Sequence, residues 1–316
     1  MKGENILMKK YFIGELIKKR RLELKLTQEQ LCEGICEPIT ISRLENGKQT
    51  PSMNKLRVLL QRLDLPEDKY YALLSKNEMQ ISDLQTEIVS CNVFKDSQRG
   101  LPKIAELEEL ADPDDHLLHQ FILRSKVLLG KKENEQIIPY TYEEKLDMLF
   151  EAIRLTAPNF DIDAIYEGLY SIDEVKVINQ IALVYSDLKQ HKKAIDIYYQ
   201  LLKYIKKHFQ NILQSDGLLP LVAFNYAREL DLVGRYAEAV EIAEIGWQAC
   251  VQYGQYYYLP STIALIAECY HFLNQDKKSK KYYKQAFYLF EAINNKRGAE
   301  IIKSEIEEYF GNNFLF

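Results

Sequence analysis

The sequence predicts an all-α chain in which a small helix-turn-helix head precedes a longer stack of helix pairs. Three observations lead there. Residues 26–52, LTQEQLCEGICEPITISRLENGKQTPS, hold a complete set of helix start, turn and stop signals. Glycine (13) and proline (9) are scarce in 316 residues, and hairpin signals between alternating apolar runs do not recur. In the second half, three similar units of apolar helix, polar turn and second helix follow one another.

In chain order, Ile13, Leu16, Ile17, Leu22 and Leu24 recur at roughly helical intervals with Lys18, Lys19 and Arg20 between them, the pattern of a first helix. Thr27 suits the N-cap of a second helix opening at Gln28. Gln30, three residues on, completes a capping box, in which each side chain satisfies the other's backbone N–H. Cys36 falls in the tight turn. Pro38 suits the first turn of a third helix, where its missing N–H is not needed. Asn46-Gly47 closes that helix, and Thr50-Pro51-Ser52 starts the next.

On the third helix, Ile41 and Leu44 are spaced to face inward, which turns Ile39, Thr40 and Arg43 outward. Those side chains suit the major groove of DNA. A guanidinium pairs with two acceptors of guanine, and apolar groups meet the thymine methyl. A surface ion pair or a phosphate contact is the other reading of Arg43. Gln28 is placed to donate to a phosphate, and Asn46 and Lys48 to sit beside the backbone, where contacts set register more than sequence. Arg21 and Glu45 flank the small core and are expected to pair, bridging the first helix to the end of the third. That role is structural, since a broken pair strands a partly buried charge.

The net charge of −5 is unevenly divided: residues 1–70 carry +4 and the remainder −9. A basic head on an acidic body fits a DNA-binding part joined to one that need not touch phosphate. No apolar run has the length of a membrane span and residues 1–10 lack a signal-peptide core, so a cytoplasmic protein with no membrane contact is expected. The five cysteines (Cys32, Cys36, Cys91, Cys250, Cys269) are scattered, lack zinc-ligand spacing and are expected as buried, reduced thiols. No metal, no cofactor and no catalytic residue is expected. Phosphate-cradling glycine loops, zinc-protease motifs and nucleophile elbows are missing, and His116 and His119 with Asp115 read as a solvated helix face.

Boundaries are expected at 68 and 95: a head over 1–68, a linker helix over 69–95, and a repeat domain over 96–316. Within the last, residues 177–205, 221–250 and 262–290 each form a pair whose second helix begins on a small residue. Those residues, Ala194, Ala239 and Ser279, are 45 and 40 positions apart. Each pair then buries its apolar face only against its neighbours. Residues 115–157 are expected to hold another pair with 142–155 as its second helix, and 295–310 a capping helix. The 22 tyrosines are read mainly as packing residues. Asn179 and Asn225 stand at comparable places on successive first helices. Two readings stay open: each carboxamide pairs with the N–H and C=O of an extended peptide, or the two bridge neighbouring helices. Arg228, three residues beyond Asn225, is a candidate for a peptide carboxylate.

Leu26-Thr27-Gln28, Ile41-Ser42-Arg43-Leu44-Glu45, Gly47 and Pro51-Ser52 resemble the Xre-type, phage-repressor-like helix-turn-helix over about residues 12–66. That resemblance implies a five-helix head. Cys32 stands where alanine is common, and Pro38 removes a polar side chain often used on bases. Tyr185 with Ala194, and Gly234-Arg235-Tyr236 before Ala239, resemble tetratricopeptide repeats, which implies a right-handed superhelical stack with a concave inner face. Head and body together resemble the peptide-pheromone regulators of Gram-positive bacteria, the PlcR, Rgg and PrgX group, and within it the PlcR- and TprA-like members. The resemblance implies a homodimer on a palindromic operator, controlled by a short signalling peptide (quorum sensing) that Asn179 and Asn225 help to clamp. A phage-type repressor or a repeat-scaffold regulator without a peptide is the alternative.

Overall fold

The computed structural model describes residues 13–49, 51–65, 76–210 and 217–311. It is predominantly helical, as expected, and divides into two units: Met1–Phe160 with Leu169–Val177, and Asp161–Gly168 with Ile178–Phe316. The first unit holds the head together with the helices that follow it.

In the head, α1 (Ile13–Glu23), α2 (Gln28–Cys32), α3 (Pro38–Glu45) and α4 (Met53–Arg62) are four of the five expected helices. Within 1–68, residues 1–12, Thr50 and residues 66–68 lie outside the described residues. Ile17, Leu31, Ile41, Leu44, Leu56, Leu59 and Leu63 form the core, with Leu117 from beyond the head packed into it. Gly14 is where α1 touches the end of α3: a Cβ there would lie 1.9 Å from the carbonyl oxygen of Leu44. The Thr27–Gln30 capping box is complete. Gly47, at φ 68°, closes α3 with bonds from its N–H to Leu44 and from the Lys48 N–H to Arg43, the Schellman arrangement.

The first unit continues through α5 (Lys76–Phe94), α6 (Ser97–Leu110), α7 (His116–Leu129) and α8 (Tyr142–Thr156). The expected pair over 115–157 is thus α7 and α8, but a two-stranded hairpin joins them, β1 (Lys131–Glu133) against β2 (Gln136–Ile138). Its turn residues Asn134 and Glu135 both have positive φ, as a two-residue hairpin loop requires. Asn-Glu lacks the glycine that signals such a turn, so it was not legible. The expected linker helix over 69–95 is described from Lys76.

In the second unit, α10 (His191–His208) follows the rest of α9 (Ile172–Asp187). Then come α11 (Leu218–Leu232) with α12 (Tyr236–Tyr253), α13 (Leu259–Phe272) with α14 (Asp276–Ala292), and the closing α15 (Lys296–Phe310), which Asn295 caps. Ala194, Ala239 and Ser279 are wholly buried, as first-turn contacts between paired helices must be. Five described turns share one device: a left-handed residue (Lys189, Gly234, Gly254, Asn274, Asn294) whose successor donates back five residues, to Tyr185, Leu230, Cys250, Tyr270 and Phe290. Of the five, Gly234 and Gly254 announce it in sequence. Tyr185, Tyr198, Tyr204, Tyr226 and Tyr283 are buried, whereas Tyr199, Tyr256, Tyr257 and Tyr288 are exposed, so packing accounts for part of the tyrosines. All five cysteines are free, four buried and Cys36 half-buried beside the turn; burial pushes Cys32 and Cys250 up to about 11.

Candidate nucleic-acid interface

The outward face of α3 is built by what holds its inward face. Ile41 and Leu44 are buried, which leaves Ile39 55% exposed, Arg43 exposed and Thr40 partly so. Pro38 stands at the first turn. Glu45, on the last turn, is buried and accepts two charge-assisted bonds from Arg21, Nε to Oε1 at 2.6 Å and Nη2 to Oε2 at 2.9 Å. Arg21 also donates to the Leu26 carbonyl at 2.8 Å, tying down the start of the turn. The Glu45 carboxylate raises the pKa of Arg21. The structure thus brings Arg21 and Glu45 together.

Gln28, on the first turn of α2, has a partner that the sequence did not show. Its amide Nε2 donates to Glu45 Oε2 at 2.8 Å, so α2, α1 and α3 meet on one carboxylate. That bond fills a remaining lone pair of a buried carboxylate and uses one of the two N–H groups of the Gln28 amide. Asn46 and Lys48 are exposed just past α3, with the Asn46 amide bonded to the Ser42 carbonyl at 2.7 Å. Asn46 and Gly47 border a hollow that Lys18 and Lys19 of α1 also line. The sequence showed those lysines only as interleaved charges; the fold sets them beside the end of α3.

In the second unit, Asn225 of α11 donates from Nδ2 to Asn179 Oδ1 of α9 at 3.0 Å. The two carboxamides therefore bridge neighbouring helices, the second of the readings left open. Asn179 is 5% exposed and Asn225 half-buried, leaving the Asn225 carbonyl oxygen and an Asn179 N–H for other partners. Arg228 is exposed and lies in the field of Asp231 and Glu268. Sequence reasoning missed that acidic setting, since Glu268 is forty residues away. Burial, with Asp231 and Glu305 nearby, pushes the Glu268 carboxyl up to about 7. Tyr309 donates to it at 3.2 Å. Among the described residues no group of three His, Cys, Asp or Glu could hold a metal, and no helix is long and apolar enough to cross a membrane.

Residues 17–70 match the helix-turn-helix family model. No curated protein matches the chain by sequence. Among solved structures, the chain is similar to Bacillus thuringiensis PlcR in complex with the peptide PapR7 and DNA, at 21% identity and a TM-score of 0.57, over 92% of this chain and 98% of that one. It is also similar to the apo form of PlcR, at 19% identity and a TM-score of 0.58, over 92% and 99%. At these identities the likeness is one of fold.

Proposed function

We propose that this protein is a transcription regulator. It acts as a homodimer whose heads read a palindromic operator in double-stranded DNA, and its repeat domain holds a short signalling peptide that controls the reading. The observation that carries the proposal is the outward face of α3. Ile39, Thr40 and Arg43 project from a helix clamped from behind by Arg21, Glu45 and Gln28, and a large apolar side chain left exposed there has no packing role. The family model over the same segment supports the reading, and so does the shared fold of a protein captured with both a peptide and DNA. A ligand preferring one arrangement of the body shifts the population of head arrangements.

Arg43→Ala is expected to weaken operator binding by about 1–3 kcal/mol, roughly five- to 150-fold, while leaving peptide affinity intact. Equal affinity for an operator selected in vitro removes Arg43 from the readout. The Asn179–Asn225 bond favours a second reading, a repressor without a peptide ligand, in which the pair only joins α9 to α11. Synthetic peptides from short secreted reading frames beside the gene separate the two. In the peptide reading Asn225→Ala weakens calorimetric binding by about 1–3 kcal/mol, the cost of stranding a buried polar group. In the other, no peptide binds and the variant alters stability alone.

A further inference from the structure

The head is tied into its unit by a buried polar junction that the DNA-reading face does not use. One side is α4. The other is chain about a hundred residues away, at the end of α8 and the start of α9. Arg62 Nη2 meets Glu174 Oε1 at 3.0 Å, with side-chain exposures of 2% and 0%. Arg62 also donates to the carbonyls of Leu31 (3.1 Å), Glu33 (2.7 Å) and Thr156 (3.1 Å). Glu174 accepts from the Thr156 hydroxyl at 2.7 Å and the Ser171 N–H at 2.6 Å. Gln120 of α7 donates to that hydroxyl at 2.6 Å and to the Ala152 carbonyl at 2.9 Å. Beside this pair, Ile172 N–H donates to Gln61 at 3.1 Å, and Arg57 meets Asp173 at 2.9 Å. Gly34, in the turn before α3, lies so close to α8 that a Cβ would sit 1.9 Å from the Thr156 carbonyl oxygen.

A buried ion pair overcomes its desolvation only in a geometry that satisfies its remaining donors and acceptors. Turning the head relative to α8 would break several of these bonds at once and leave Glu174 charged and dry. A flexible tether has no such preferred angle.

We infer that Arg62 and Glu174 are positioning residues for DNA recognition: by clamping α4 to the end of α8 and the start of α9 they fix the angle of the head, so that a pair of heads accepts one separation of half-sites. The inference rests on the reading of the protein as a dimeric operator-binding regulator. Two heads held at fixed angles meet half-sites on one face of the duplex only at the right helical phase. Another spacing must be met by twisting or bending the DNA.

The test uses the full chain, an operator selected from random DNA by the wild-type protein, its isolated half-site, and spacers lengthened by about two, five and ten base pairs, spanning one turn of roughly 10.5. Wild type is expected to lose at least about tenfold in affinity at the half-turn spacer, the scale of DNA deformation energies. Glu174→Gln keeps the shape of the side chain and removes its charge. The double variant Arg62→Met, Glu174→Leu replaces the pair by apolar groups, a change that buried pairs often tolerate without unfolding. Glu174→Gln is expected to keep half-site affinity, whereas the double variant also gives up the Arg62 bonds to the Leu31 and Glu33 carbonyls within the head and is read as the ratio of spaced-site to half-site affinity. For both, that ratio is expected to stay within about threefold across all spacers, as for loosely tethered heads. If the variants lower half-site and spaced-site affinity in equal proportion, or if wild type tolerates every spacer, the positioning role is overturned. A selection that returns no DNA overturns the regulator reading itself, and the inference falls with it.

Discussion

Glu45→Ala is expected to cost the head about 3–5 kcal/mol of stability, the usual penalty for stranding one partner of a buried ion pair. Arg21 would keep its charge in a site where only the Leu26 carbonyl remains to meet it, and the Gln28 amide would lose its acceptor. Because the three bonds join α1, α2 and α3 at one carboxylate, the loss reaches the recognition helix although Glu45 itself faces away from DNA. Hydrogen exchange on the full chain reads this directly. Amides of α1–α3 are expected to exchange about 10²- to 4 × 10³-fold faster, at roughly 1.4 kcal/mol per decade, with those of α11–α15 unchanged. Operator affinity should fall with head protection. Glu45→Gln, which keeps an acceptor and the shape, is expected to lose much less. If alanine and glutamine prove equal, charge pairing is not what holds the helix.

The second large effect is expected from Gly14→Ala. The added methyl would stand 1.9 Å from the Leu44 carbonyl oxygen, 2.8 Å from its carbon and 3.1 Å from the Glu45 Cα. All three are backbone atoms, so no rotamer change relieves the clash and α1 must move away from α3. Overpacking of this kind costs about 1–3 kcal/mol. Here it also draws Arg21, two turns along the same helix, away from Glu45. Operator binding is therefore expected to drop at least about tenfold. Alanine is a better helix former than glycine by about 1 kcal/mol, so a variant that gains stability and keeps operator affinity would show that the two helices do not meet this closely.

Local chemistry explains why the head was legible. A capping box, a proline at N1, an Asn-Gly closure and two apolar positions three apart each constrain a few consecutive residues, and together they leave one arrangement of α2, turn and α3. The outward set Ile39, Thr40 and Arg43 follows from the helical period alone once Ile41 and Leu44 are placed inside. The pairing of Arg21 with Glu45 was also within reach, because the motif puts α1 against the end of α3. The second role of Gln28 was hidden for the complementary reason: the sequence shows an amide at a helix start, and only the third dimension shows a buried carboxylate with a lone pair to fill.

In the body, buried small residues marked the helix pairs correctly, while the turns between them hid their nature. Lysine and asparagine took the left-handed position as readily as glycine, so a repeated backbone device left no repeated letter. The hairpin after α7 escaped for the same reason.

By itself the sequence determined the class of the chain, the order of its helices and the face of α3 turned outward, because helical period, caps and burial of apolar side chains act between neighbours along the chain. Which distant groups share a buried charge was decided only by the tertiary structure. Arg62 and Glu174 are 112 residues apart, and Arg228, Asp231, Glu268 and Glu305 come from three helices. Electrostatic and desolvation energies depend on distances through space, and separation along a chain carries almost no information about those.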